Sequence, residues 1–369
     1  MTLNPLQKRR IAAFRSNRRA FWSLWIFLTL FVLSLFAELI ANDKPLVVSF
    51  RGEISFPVFA GTYEESDFGG DPGLNVDFKD QAIQCLIRTG GIEDCYYEPE
   101  EILAEAESGT VAGAPIEAGW IVWPPIPYSF DTVNDDVFRA PSPPDANHWL
   151  GTDDTTRDVL ARVIYGVRTS LLFAIATVGI SSVIGIAAGA IQGYFGGWTD
   201  LLFQRFIEIW GGTPFLYVII IAAAIFTMNF WLLVGLMSLF SWTALVGVVR
   251  AEFLRARNFE YVRAARALGV SDRVIMFRHI LPNAMVATVT LMPFLITSSI
   301  SGLATLDYLG FGLPSNYPSL GELTLQAKEN LHASWLGFTA FFTFAILLSL
   351  LVFVFEGVRD AFDPRKVLA

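Results

Sequence analysis

Long, unbroken apolar runs dominate the chain. Six windows reach the roughly 20 residues that a helix needs to cross a hydrocarbon core: 21–40, 170–191, 206–226, 230–249, 284–306 and 335–355. Apolar positions within them are continuous and do not alternate, which predicts helices rather than barrel strands. The first window follows basic residues, as a signal peptide would. Its apolar run is too long for that and no small-x-small cleavage site follows, so an uncleaved anchor is expected. The pattern predicts an all-α integral membrane protein of six transmembrane helices. Residues 1–20 form a basic N-terminus, 21–40 the first helix, 41–167 an extracytoplasmic segment and 168–369 a five-helix core.

Composition and charge sharpen this picture. Of 369 residues, 53% are hydrophobic and only 17% charged, against about one quarter charged in soluble domains. Disorder is excluded by the same figures. The net charge of −9 argues against nucleic acid, whose phosphates demand clustered Lys and Arg. That net figure hides two opposed halves. Lys8, Arg9, Arg10, Arg15, Arg18 and Arg19 meet no acid before the first run, and the loop 250–283 carries seven Arg against Glu252, Glu260 and Asp272. Residues 42–165 carry 23 acidic and 7 basic side chains, a balance of −16. Positive residues collect on the cytoplasmic side, so both termini and the 250–283 loop are expected there and the acidic segment outside.

Gly, Pro and Asp punctuate the acidic segment, which reads as a loop-rich cap with one short helix over 98–107. It holds both cysteines, Cys85 and Cys95. In an oxidising compartment they could close a short loop, and otherwise they are two thiols. From Leu150 to Gly166 the text suggests a short amphipathic helix on the membrane surface, capped by Thr152 or Asp153 and stopped at Gly166. It could equally be the lead into the second crossing.

Within the apolar runs a few residues are costly. Gly185, Gly189 and Gly193 make a stripe that lets another helix come close. The third run contains Arg205 and Glu208, three apart on one face, then Gly211-Gly212-Thr213-Pro214, where a kink is expected. Either Arg205 and Glu208 form an ion pair at the membrane boundary, or with Pro214 they line a translocation pathway.

The loop 250–283 is patterned along its length. A helix is expected from Glu260 to Leu268, ending at Gly269, with a restart at Ser271 and Pro282 opening the next crossing. Ala264, Ala265 and Ala267 are small, and Val274, Ile275, Phe277 and Ile280 offer apolar contacts. A helix-turn-helix with exposed small residues among arginines fits a partner's groove.

These residues resemble the cytoplasmic loop of ABC importer permease subunits, Glu-Ala-Ala, three residues, Gly, nine residues, Ile-x-Leu-Pro. Ala264, Ala265, Gly269, Leu281 and Pro282 match that spacing, while Arg263 and His279 replace the Glu and the Ile. Arg278-His-Ile-Leu-Pro-Asn283 is similar to the dipeptide and oligopeptide branch. So are Leu150–Gly166, the outer-loop sequences Tyr308-Leu-Gly-Phe-Gly-Leu-Pro314 and Pro318-Ser-Leu-Gly321, and the tail 356–365. The enlarged acidic segment, Trp123-Pro-Pro-Ile-Pro-Tyr128 and residues 205–214 most resemble the importers of microcin C and oligopeptides in Gram-negative bacteria.

The resemblance implies the type I importer permease fold in the bacterial inner membrane. It implies a second homologous permease subunit, ATPase subunits that bind ATP and Mg, a periplasmic peptide-binding protein and a peptide substrate. It also implies ATPase coupling through Glu260, Ala264, Ala265, Gly269, His279, Leu281 and Pro282. The chain itself has no phosphate-binding Gly-x-x-x-x-Gly-Lys motif, no His-Glu-x-x-His and no Gly-x-Ser-x-Gly, and its three histidines are scattered. No catalysis, metal or cofactor is expected in it. An ion-driven secondary transporter would need paired broken helices in inverted repeats, and only one break is legible. A receptor would need a cytoplasmic signalling domain, and none is legible.

Overall fold

The computed structural model describes residues 5–59 and 61–362. They divide into two compact units, one of residues up to Phe31 together with Gly166 onward, the other Val32–Tyr165. Along the chain run α1 (Pro5–Ser16) and α2 (Arg18–Leu35). Next come β1 (Val47–Phe50), β2 (Glu53–Ser55), α3 (Gln81–Thr89), α4 (Pro99–Ala106) and β3 (Trp120–Val122). Helices follow: α5 (Val159–Phe195), α6 (Gly197–Gly211), α7 (Phe215–Ile225), α8 (Phe230–Ser241) and α9 (Thr243–Ala256). The chain continues through α10 (Glu260–Ala267), α11 (Leu281–Tyr308), α12 (Leu320–Glu329) and α13 (Ser334–Phe362).

Among the described residues, four continuous stretches are long and apolar enough to span a membrane: α2, α5, 272–308 and α13. The pairs α6–α7 and α8–α9 also pass when each is taken together, bent by 65° and 40°. The kink expected at Pro214 is thus a full break, with Pro214 standing outside α7 in extended conformation. The second bend, at Trp242, has no proline to announce it. The first predicted window is shorter than expected, since α2 ends at Leu35 and a separate turn, Ala37–Ile40, follows.

A surface helix stopping at Gly166 is not what forms. Residues from Val159 run straight into the second crossing as α5, 37 residues long, or about 55 Å. Asp158 caps it, its Oδ1 accepting the Ala161 N–H at 2.8 Å. Asp153 is spent on a turn, accepting the Thr155 and Arg157 N–H groups at 2.9 Å each. Gly166 is no stop; it makes room for α12, as a Cβ there would lie 3.1 Å from Leu320 Cδ2.

The glycine stripe of α5 seats α9. A Cβ at Gly185 would fall 2.5 Å from the Trp242 carbonyl oxygen, at Gly189 2.8 Å from that of Val246, and at Gly193 2.5 Å from that of Arg250. Arg250 of α9 also holds Asp200 of α6 through Nε at 2.5 Å and a terminal nitrogen at 2.7 Å. A bidentate, charge-assisted pair of this kind fixes direction as well as distance.

The inserted unit, 32–165, is loop-rich as expected, but it has a core of its own and contains β-strands, so the chain is not all-α. Its sheet has the order β2-β1-β3, antiparallel throughout, with Val48 opposite Ser55 and Ile121. Helix α3 forms because Asp80 accepts the Ala82 N–H at 2.9 Å and Gly90 closes the other end at φ +79°. Its Ile83, Leu86 and Ile87 are buried with Val48, Phe68 and Phe78. Cys85 and Cys95 are disulfide-bonded here, Cα atoms 5.6 Å apart.

Candidate coupling surface

The charged loop after α9 folds back on the helical unit. Helix α10 starts as residues 257–259 turn, and its apolar positions lie three apart: Val262 and Ala265 face inward. They join Phe253, Ala256, Ile275, Ile280 and Ala284 in one cluster. Ala265 is 9% exposed, so of the three alanines expected on a free face only Ala264 and Ala267 lie there. The same division falls on the second half of the loop. Ile275 and Ile280 are buried, whereas Val274 and Phe277 are exposed.

Helix α10 ends as its glycine requires. Gly269 adopts φ +75°, its N–H reaches the Arg266 carbonyl at 3.1 Å, and the Val270 N–H reaches that of Ala265 at 3.1 Å. A side chain here would meet open space but a strained backbone. Leu268 beside it is 84% exposed. Asp272–Val274 then begins a short turn that widens into a π-helix over Ile275–Ile280 before α11. His279 and Leu281 are half-buried, and Pro282 is exposed in the first turn of α11, where its missing N–H costs nothing.

One side chain that sequence reasoning missed ties the loop down. The Tyr194 hydroxyl, near the end of α5, hydrogen-bonds Asp272 Oδ1, and the Arg266 guanidinium lies 5.4 Å from the Tyr194 ring centre. Arg257 donates to the Tyr194 carbonyl at 3.4 Å. Tyr194 therefore links α5 to both halves of the loop. The only sequence signal was an aromatic residue one step beyond the glycine stripe. What remains outward is a surface of Ala264, Ala267, Leu268, Val274 and Phe277 among Glu260, Arg263, Arg273 and Arg278.

The candidate pathway residues are not among those of this surface. Arg205 and Glu208 pair at 2.5 Å on α6, both exposed. Neither they nor Pro214 line the cavity of about 200 Å³ enclosed by α5, α8, α9 and α11. Thr177, Ser181, Ser241, Ser298 and Ser299 give that cavity hydroxyl groups. The i,i+4 pair Thr177 and Ser181 on an apolar helix was the available signal. Ser238 Oγ donates to the Thr177 carbonyl at 3.4 Å, joining α8 to α5 beside it.

The outer-loop motifs have a physical reason. Asp307, buried at the end of α11, accepts the Leu313 N–H at 2.8 Å. A Cβ on Gly312 or Gly321 would collide with Asp307, so both glycines leave room for this carboxylate. Residues 356–362 of the tail complete α13, while Asp363, Pro364 and Arg365 lie outside the described residues. The acidic segment contributes a cleft of about 720 Å³ lined by Asp77, Asp80, Asp135 and Asp136 with Trp123 and Tyr128. Lys79 crosses it, Nζ 3.8 Å from the Tyr128 ring centre and donating to Asn134 Oδ1 at 3.1 Å.

Comparison with known proteins adds the following. Residues 182–367 match the family model described as binding-protein-dependent transport system inner membrane component. The peptidoglycan transport system permease protein YejE of Agrobacterium fabrum is 52% identical, over 98% of this chain and 94% of that protein. The inner membrane ABC transporter permease protein YejE of Escherichia coli is 51% identical, over 99% of each. The oligopeptide transport system permease protein OppC of Bacillus subtilis is 32% identical, over 64% of this chain and 78% of its own length. A solved chain of the inward-facing MetNI methionine ABC transporter aligns with a TM-score of 0.46 and 16% identity, over 55% of this chain and 96% of that one.

Proposed function

The chain belongs to the family of binding-protein-dependent transport system inner membrane components, and from that premise we propose how it works as a permease subunit of an ABC peptide importer. Hydrolysis belongs to partner ATPase subunits, and this chain is a transporter component. The proton-driven and receptor alternatives lose their ground with the family assigned.

Six crossings place both termini and the 250–283 loop in the cytoplasm of an inner membrane, and 41–167 outside. A second homologous permease completes the pathway. The ATPase, carrying ATP and Mg, engages Glu260, Ala264, Ala267 and Leu268, with Gly269 setting the end of the helix. Ala265, His279 and Leu281 act from beneath by holding the loop to α11, whose first turn Pro282 opens. Nucleotide-driven closure then shifts α10, and Tyr194 and the glycine stripe carry the shift into α5 and α9, biasing two packings of the bundle. A binding protein delivers peptide to the outer face. Peptides are the substrate class, which the name of the oligopeptide relative supports.

The observation that carries this reading is the split face of α10, packed inward through Val262 and Ala265 and presenting Ala264, Ala267 and Leu268 outward. Its test is uptake of a labelled tripeptide by vesicles holding the complete transporter. Accumulation should require internal ATP, and a cysteine at Ala267 should crosslink to the ATPase subunit. Accumulation driven by a proton gradient without ATP would overturn it.

A further inference from the structure

At the end of the helical unit where α2 begins and α13 finishes, the two helices and α1 enclose a groove of about 590 Å³. Ile11 and Phe14 of α1, Leu24 and Trp25 of α2, and Val358 and Phe362 of α13 line it. The floor is closed by a tight approach: a Cβ on Gly357 would lie 2.2 Å from Ala20 Cβ and 2.9 Å from a Phe14 ring carbon. Asn17 makes the elbow between α1 and α2, its Oδ1 accepting the Ala20 N–H at 3.2 Å. Arg10 and Arg15 stand at the same groove, the Arg10 guanidinium packed 4.4 Å from the Phe362 ring centre.

We propose that this groove binds one anionic phospholipid, an acyl chain lying against the aromatic wall and the phosphate facing Arg10 and Arg15. Three features point to that occupant. Two of the walls are helices apolar enough to span a membrane, so the molecules presented to the groove are lipids. The volume is that of a ligand site rather than of a packing defect. The charge is complementary, since residues 8–19 hold six Lys or Arg and no acid, and arginine pairs with phosphate through two parallel N–H donors. The chain's own end is a poorer match, because Arg365 and Lys366 repeat the charge of the groove.

The test uses the full-length chain in phosphatidylcholine vesicles doped with phosphatidylglycerol or phosphatidylcholine carrying brominated acyl chains. Trp25 is 51% exposed at the groove, and its quenching is read as the difference between wild type and W25F. Brominated phosphatidylglycerol should quench it at a mole fraction lower by about fivefold or more. The R10Q/R15Q variant should lose that preference, while R18Q/R19Q, with equal charge removed beyond the groove, should keep it. Equal quenching by the two lipids in wild type would overturn the site. So would an equal loss in both double variants, which means diffuse surface attraction. Quenching seen only after truncation at Phe362 would also overturn it, since the chain's own end would then fill the groove.

Discussion

At Gly193 the room left for a side chain is already occupied. A Cβ would lie 2.5 Å from both the Arg250 carbonyl oxygen and Phe253 Cβ, and backbone cannot step aside as a flexible side-chain tip can. Gly193→Ala should therefore destabilise the purified chain by about 1–3 kcal/mol, the usual cost of overpacking. Gly179, one stripe away on the same helix, has nothing within 4 Å of a built Cβ. There alanine should be neutral or stabilise by up to about 1 kcal/mol through helix propensity. Thermal unfolding in detergent compares the two, and a like effect at both positions would refute the seating of α9. Lys79 gives a residue-scale prediction of another kind. Burial lowers its pKa from 10.5 to about 8, against the pull of Asp43, Asp77, Asp136 and Asp158. Below pH 8 both folded and unfolded forms hold the proton, and no pH dependence arises from it. Between about 8 and 10.5 only the unfolded form does, so folding gains stability as pH rises through that window. The unfolding midpoint of wild type relative to Lys79→Met should climb from pH 8 to pH 10, and a flat difference would contradict the burial.

Helix α10 is where an element decides between packing and partnership. Ala265→Leu pushes a larger side chain into the cluster with Phe253 and Ile280 and should cost about 1–3 kcal/mol of stability. Ala264→Leu and Ala267→Leu, on the exposed face, should leave the unfolding midpoint within about 0.5 kcal/mol while lowering ATP-dependent uptake several-fold. Uptake and unfolding measured on the same three proteins separate the two roles. The sequence made this helix legible through Gly269 and its spacing to Pro282, because those residues satisfy local backbone rules that hold in any context. Which alanine faces inward was not legible, as Val262 offers one apolar neighbour and the deciding contacts, Ile275 and Ile280, come from beyond the turn. Of the two readings of 150–166 the lead into the second crossing is the one that forms, and the residue at which α5 begins was not legible for a related reason. Thr152, Asp153 and Asp158 are all able caps, and it is the Thr155 and Arg157 N–H groups, with the Arg157 guanidinium at 2.7 Å, that commit Asp153 to the preceding turn. In the inserted unit only the helix over 98–107 was expected, and α3, capped by Asp80 and Gly90, was missed because Gly- and Pro-rich flanks hid that it has a sheet to pack on.

For the whole molecule, six crossings compete with four. Each bent pair can be measured against the bilayer. At 1.5 Å per residue, α6 and α7 joined at 65° reach about 33 Å end to end, and α8 and α9 joined at 40° about 37 Å. Both exceed a hydrocarbon core of about 30 Å, so neither bend prevents a full crossing. The residues between the pairs, 226–229, then emerge on the side opposite α10. A four-crossing alternative, with both pairs re-entrant, leaves every other segment where it is and keeps 226–229 inside. The discriminating position is therefore Thr227, which is exposed. A membrane-impermeant maleimide applied to intact spheroplasts should label Thr227→Cys as readily as Glu107→Cys in the inserted unit and Leu331→Cys before α13, while Ala267→Cys stays unlabelled until the membrane is opened. Cys85 and Cys95 are consumed in their disulfide and add no background. Labelling of Glu107→Cys and Leu331→Cys without Thr227→Cys would reduce the count to four, and labelling of Ala267→Cys from outside would reverse the orientation that the Lys and Arg distribution sets.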